Sequence, residues 1–341
     1  MSNNGKAIFG SILFLVLFST GCKPDKDDLL DRSYNLILPA GFPPMSIPAD
    51  NQLTEVRIEL GKMLFFDKAL SRDSSVSCGS CHLQSHAFSD VVNISSGIEG
   101  RKGMRNSPPL FNLGYHPYFF FDGGVPTLEL QVLAPVQDVN EMDHEFPQAV
   151  ERLAQNPVYQ KMAQIAYKRD FDAFVLTRSI GAYERILVSG NSTYDKYNNG
   201  NSSALNESAK RGLALFNSER LSCSGCHSGF NFTDYSFQNN GLYVQYPDSG
   251  RMRVTTLPED RDKFKVPSLR NIALTAPYMH DGSIATLPEV VEHYNNGGAA
   301  NLNKDPRIKP LMLTNQEKSD LLEFLYSLTD NDFITNPDYA P

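Results

Sequence analysis

Ser77-Cys78-Gly79-Ser80-Cys81-His82 and Ser222-Cys223-Ser224-Gly225-Cys226-His227 carry one pattern in the two halves of the chain. Cys-x-x-Cys-His is the attachment signature of c-type haem. Its spacing has a chemical reason. Two thiols about one helical turn apart can bond the two vinyl positions on one porphyrin edge, and the adjoining imidazole can reach the iron from one face. A thioredoxin-like redox pair has no need of the histidine, and a four-cysteine zinc site places its pairs roughly 15–20 residues apart rather than in opposite halves. A disulfide within each pair would leave both histidines unexplained. The pattern therefore predicts two covalently bound haem c groups. One is held by Cys78, Cys81 and His82 and the other by Cys223, Cys226 and His227, with His82 and His227 as proximal iron ligands.

Other stretches repeat around these motifs. Pro108-Pro109-Leu110-Phe111-Asn112 aligns with Pro267-Ser268-Leu269-Arg270-Asn271, each followed by Asp-Gly (Asp122-Gly123, Asp281-Gly282) and then Thr-Leu (Thr127-Leu128, Thr286-Leu287). Upstream of each haem motif sits Gly-x-x-Leu-Phe, Gly61 to Phe65 and Gly212 to Phe216. Thr54 and Asn206 are placed as N-caps for helices carrying these stretches, with Leu53 and Leu205 as staples. A capping box at Thr314 to Glu317 opens a last helix to about Leu328, and residues 171–189 read as a long amphipathic helix. Strand signals are sparse. The expected fold is mainly α, two tandem cytochrome c-like haem domains related by internal duplication. The expected boundaries are a signal at 1–22, a linker at 23–50, an N-terminal domain at 51–190, an Asn- and Ser-rich linker at 191–206, a C-terminal domain at 207–330 and a tail at 331–341.

The 341 residues are 41% hydrophobic and 21% charged, with 23 Gly and 21 Pro, a globular and loop-rich composition. Net charge is −8 without a basic run, which argues against a nucleic-acid partner. Lys6 precedes an apolar run, Ala7 to Phe18, of signal-peptide length. It ends in Ser19-Thr20-Gly21-Cys22, which resembles a bacterial lipoprotein cleavage site in which Cys22 becomes the lipidated N-terminus; Ser19 stands where an aliphatic residue is usual. An ordinary secretory signal is the alternative. Either way the chain is expected in the periplasm or cell envelope of a bacterium, lipid-anchored through Cys22 on the first reading.

From about residue 50 to 330 the chain resembles the bacterial di-haem cytochrome c peroxidases and their relative that matures methylamine dehydrogenase. The resemblance rests on both haem motifs, Arg105-Asn106-Ser107-Pro108, Phe120-Phe121-Asp122-Gly123, Glu129-Leu130-Gln131, Asn140-Glu141-Met142 and Pro277-Tyr278-Met279-His280-Asp281-Gly282. It implies hydrogen peroxide reduction at the N-terminal haem, with electrons from a small donor such as a cytochrome c or cupredoxin entering through the C-terminal haem. It implies Gln131 as the residue that orients peroxide and Glu141 as its acid–base. It also implies a calcium ion at Asn106, Thr275 and Pro277; the alternative for these is ordinary turn stabilisation. A homodimer is a candidate assembly that no residue of the sequence specifies.

The repeat alignment distinguishes the two irons. Thirteen residues after Asp281 stands Tyr294, and thirteen after Asp122 stands Pro135. Tyr294 falls on one helical face with Leu287, Val290 and Val291 and can offer iron an oxygen, while Pro135 offers no side-chain ligand. Met279 is the rival ligand, and a buried, hydrogen-bonded tyrosine is the non-ligating alternative. The resemblance puts methionine at this position in ordinary peroxidases and tyrosine in the maturation enzyme. Ser95 to Gly100 lacks the histidine that blocks the iron in peroxidases needing reductive activation. His86 lies too close to His82 to cross over, and His116 is a remote candidate that reads rather as a surface or interface histidine. The family's inter-haem tryptophan is replaced by Phe121, which disfavours a resting oxidised side chain there. A maturation-type oxidase acting on a protein and a non-enzymatic di-haem electron carrier remain the competing functions.

Overall fold

The computed structural model describes Met1 and residues 30–341, so the signal segment and Cys22 lie outside the described residues. Among these, seven helices reach nine residues or more. They are α1 (Glu55–Phe66), α2 (Phe146–Ala154), α3 (Pro157–Tyr167), α4 (Ala173–Ile186), α5 (Glu207–Phe216), α6 (Leu287–Asn295) and α7 (Asn315–Tyr326). The strands β1 (Phe237–Gln238) and β2 (Phe264–Lys265) pair antiparallel, Phe237 opposite Lys265. No helix among the described residues is long and apolar enough to cross a membrane. The chain is mainly helical, as the sequence implies.

The helix starts follow from their caps. Thr54 accepts from the Arg57 N–H and Asn206 from the Ala209 N–H, and Thr314 with Glu317 forms the expected capping box. The glycine of each Gly-x-x-Leu-Phe stretch has a packing role. A Cβ on Gly61 would fall 1.8 Å from Ser179 O on α4, and one on Gly212 would fall 1.9 Å from Asp320 O on α7. Only glycine lets α1 cross α4, and α5 cross α7, at such close approach.

Each half has its own apolar centre. Leu60, Leu64, Leu176 and Ile180 lie in the first; Phe216, Phe232, Phe324 and Leu328 lie in the second. Residues 31–341 nevertheless form one compact unit. The segment expected as a linker, 191–206, carries a short helix, Thr193–Asn198, capped by Ser192. Its buried Asp195 meets Arg270 at 2.8 Å, so polar composition here marks a buried ion pair rather than a loose tether. The expected tail also packs: Phe333 is buried among Phe88, Phe111 and Tyr339.

Candidate haem sites

Two cavities hold the cysteine pairs. Cys78, Cys81 and His82 line the first together with Gln131, Pro135 and Glu141. Cys223, Cys226 and His227 line the second together with Met279 and Tyr294. Phe121, Asn106 and Lys265 border both. Asn106, Thr275 and Pro277 all border the second.

The proximal histidines are held alike. His82 Nδ1 lies 2.7 Å from Phe88 O; His227 Nδ1 lies 3.1 Å from both Phe232 O and Pro267 O. A hydrogen bond from Nδ1 to a carbonyl leaves Nε2 as the lone-pair nitrogen, the tautomer a metal-ligating imidazole needs. Burial lowers the pKa of both rings and keeps them neutral. All four thiols are free, and burial pushes Cys81 up to about 11 and Cys223 up to about 12. No three His, Cys, Asp or Glu side chains among the described residues gather as a metal cluster, so the cysteine pairs serve two separate places. An apolar slot with two thiols at its edge and an oriented neutral imidazole fits a c-type haem, and the chain has two of them.

The two cavities differ on the side away from those histidines. In the first, Glu141 shows considerable surface, but that surface borders the cavity. Surrounding protein still pushes its carboxyl up to about 7 by burial, with the Asp138 charge adding to the rise. Gln131 ends a short helix, Leu128–Gln131, capped by Thr127. The turn bearing Glu141 is stitched to the loop expected to be free of histidine: the Ile98 N–H donates to Glu141 O at 2.8 Å. Arg72 and Arg101 bridge Glu99 of that loop to Asp143, with Arg101 to Asp143 at 2.8 Å. In the second cavity, Tyr294 lies on α6 with the apolar stripe Leu287, Val290 and Val291. Burial raises its phenol pKa while the Asn240 side chain opposes that rise. Asn240 Nδ2 also donates to Met279 Sδ at 3.2 Å, so both candidate ligands share one amide partner.

Asn106 spends its amide N–H groups on Val92 O and Asn93 O, at 3.2 and 3.0 Å. Its side-chain oxygen is then the atom left to meet a cation, which suits an oxygen-ligand site. His116 borders the first cavity. Its Nε2 is enclosed and without a hydrogen-bond partner, because the ring packs against Phe119 and Tyr235. His86 lines neither cavity. Sequence reasoning also missed Glu184 and Lys265. Both border the first cavity; burial pushes Glu184 up to about 8 and Lys265 down to about 8. Their signal was a charged residue inside an apolar run, as in Phe264-Lys265-Val266-Pro267.

This pair of sites is that of a di-haem protein. The family description "Di-haem cytochrome c peroxidase" matches residues 55–203. The methylamine utilization protein MauG of Methylorubrum extorquens is 36% identical over 284 residues, covering 82% of this chain and 80% of that one. The cytochrome-c peroxidase IdrP1 of a Pseudomonas species is 35% identical, covering 88% and 87%. The cytochrome c551 peroxidase of Pseudomonas aeruginosa is 36% identical, covering 83% of each. A solved MauG-like protein associated with microbial copper homeostasis superposes with a TM-score of 0.85 at 36% identity, covering 90% of this chain and 99% of that one.

The chain belongs to the di-haem cytochrome c peroxidase family, as its motifs imply. It is a haem peroxidase with two haem cofactors, acting on hydrogen peroxide.

Proposed function

We propose that peroxide is reduced in the cavity of Cys78, Cys81 and His82, and that electrons enter through the cavity of Cys223, Cys226 and His227. The observation that carries this assignment is the contrast across the imidazoles. Pro135, the repeat equivalent of Tyr294, borders the first cavity and offers no side-chain ligand, whereas Tyr294 itself borders the second together with Met279. Both haems would be bound through thioethers to their cysteine pairs.

Bound haem would supply an iron for peroxide reduction and one-electron transfer. Gln131 holds the peroxide by hydrogen bonding. Glu141, with a carboxyl near neutrality, accepts a proton at the inner oxygen and returns it to the outer one, so that water leaves. Overall, H2O2 takes two protons and two electrons and gives two water molecules. Tyr294 would hold the second haem through its phenol oxygen, and that haem would serve electron transfer. Asn106, Thr275 and Pro277 would hold calcium through oxygen atoms. The donor is a small reduced cytochrome c or cupredoxin, and the chain works in the periplasm or envelope, anchored through Cys22.

Peroxide turnover with a reduced cytochrome c, beside a spectrum of the resting oxidised protein, tests this reading. A high-spin component with turnover supports it; an all-low-spin spectrum without turnover makes the chain an electron carrier. A second reading, oxidation of a protein substrate, draws on Tyr294, the residue of the maturation branch. Phe121 counts against it, since phenylalanine is hard to oxidise.

A further inference from the structure

Lys265, on β2, borders both cavities. Its Nζ donates to Tyr118 O at 2.8 Å and lies 3.4 Å from His116 Nδ1. Its backbone N–H donates to Phe121 O at 2.7 Å, which ties it to another residue common to both walls. Burial holds the His116 ring well below its ordinary pKa, with the Lys265 charge adding to the effect, so the ring is neutral and can only accept from the ammonium. An ammonium has three N–H donors, and these two contacts are to neutral groups. Lys265 forms no ion pair with a carboxylate among the described residues. Asp122, whose charge reaches it, is already engaged by Arg105 at 2.7 Å and by the Gly124 N–H at 2.9 Å.

Lys265 keeps some exposed surface, but it borders the two cavities; a cation so placed without an anion is costly, and a paired carboxylate or loss of the charge relieves that cost. The other cations bordering the cavities are provided for. Arg105 also meets Asp248 at 2.6 Å, Arg307 meets Asp305 at 2.6 Å, and Arg253 and Lys309 are exposed. A haem brings two propionate carboxylates into each cavity. We propose that Lys265 is a carboxylate-binding residue in the common wall, and that its ligand is a haem propionate. The proposal rests on the two-haem reading above. A fixed positive charge there favours the reduced haem, because adding an electron removes positive charge beside it. Removing the charge therefore disfavours reduction.

The test compares Lys265→Met, Lys265→Gln and Lys265→Arg in protein matured with haem, after haem content per chain has been measured. The Gln variant still donates to Tyr118 O and guards against a merely packing effect. Resonance Raman spectra read the propionate bending band directly, and spectroelectrochemical titration reads both midpoint potentials. Met and Gln are expected to shift the bending band and to lower the reduction equilibrium constant of at least one haem about tenfold, or about 59 mV for a one-electron couple. Arg is expected to restore the potential to within about threefold. A bending band unmoved in both neutral variants, with two haems bound, overturns the proposal whatever the potentials do. Absence of haem from the unsubstituted protein would overturn the two-haem reading instead.

Discussion

Asn112 and Asn271, equivalent in the sequence repeat, converge on Ser189: Asn112 Nδ2 donates to Ser189 O at 2.9 Å and Asn271 Nδ2 to Ser189 Oγ at 3.0 Å. Both asparagines have a left-handed backbone, φ +56° in each case, a conformation their short polar side chain tolerates. Each also holds the chain that follows the last long helix of its own half. Asn112 accepts from the Ser189 N–H at 3.0 Å, and Asn271 accepts from the Asp330 N–H at 2.8 Å. The two halves are thus locked together through the repeat itself.

Asn271→Ala leaves the buried Asp330 N–H without its acceptor and keeps a left-handed backbone that alanine disfavours. A loss of about 1–3 kcal/mol is expected from the unpaired donor. Urea unfolding should show a lower midpoint at an unchanged slope.

Haem stoichiometry checks the attachment motifs. The mature protein should carry two covalent haems by pyridine haemochrome assay and intact mass. Cys78→Ala and Cys223→Ala should each disrupt one thioether site and leave the other haem in place.

Tyr294→Phe removes the phenol oxygen and keeps the ring. The spectrum and potential of the C-terminal haem should change while the N-terminal haem stays open. An unchanged low-spin spectrum would transfer the ligand role to Met279, which lines the same cavity.

Glu141→Gln keeps the side-chain volume but cannot accept the peroxide proton. Turnover should fall roughly 100- to 10,000-fold with both haems bound. In the unsubstituted enzyme, kcat/KM for peroxide should rise with pH through about 7 as the carboxylate forms, and this limb should vanish in the variant. Stability follows the opposite course. Native Glu141 keeps a proton that the unfolded chain has already lost, so its contribution falls as pH rises from about 4.5 to about 7 and is level above that.

Gly97→Val should lower turnover at least about tenfold, mainly through kcat, with haem content unchanged. A Cβ at Gly97 would fall 2.1 Å from Asn140 O and 2.5 Å from Glu141 O, so the turn bearing Glu141 must move. Displacements of about 1 Å at a reacting group can cost about 100-fold. Steady-state kinetics on the loaded enzyme checks this.

The sequence alone determined the cofactor chemistry and the helical framework, because both are written in local signals. Cys78-Gly79-Ser80-Cys81-His82 and its partner specify their chemistry within five residues, and Thr54, Asn206 and Thr314 cap their helices through contacts three residues away. Only the tertiary structure decided what depends on contacts between distant segments. It brought Glu141 and Gln131 to the cavity of Cys78, and it anchored the polar stretch 191–206 by pairing the buried Asp195 of its short helix with Arg270, 75 residues on. It drew Phe333 back onto the first half, enclosed His116, and set Lys265 in the wall between the cavities. The charge of a lysine or aspartate is evident from its identity, but the dielectric around it, and therefore its role, is set by residues far away in the chain.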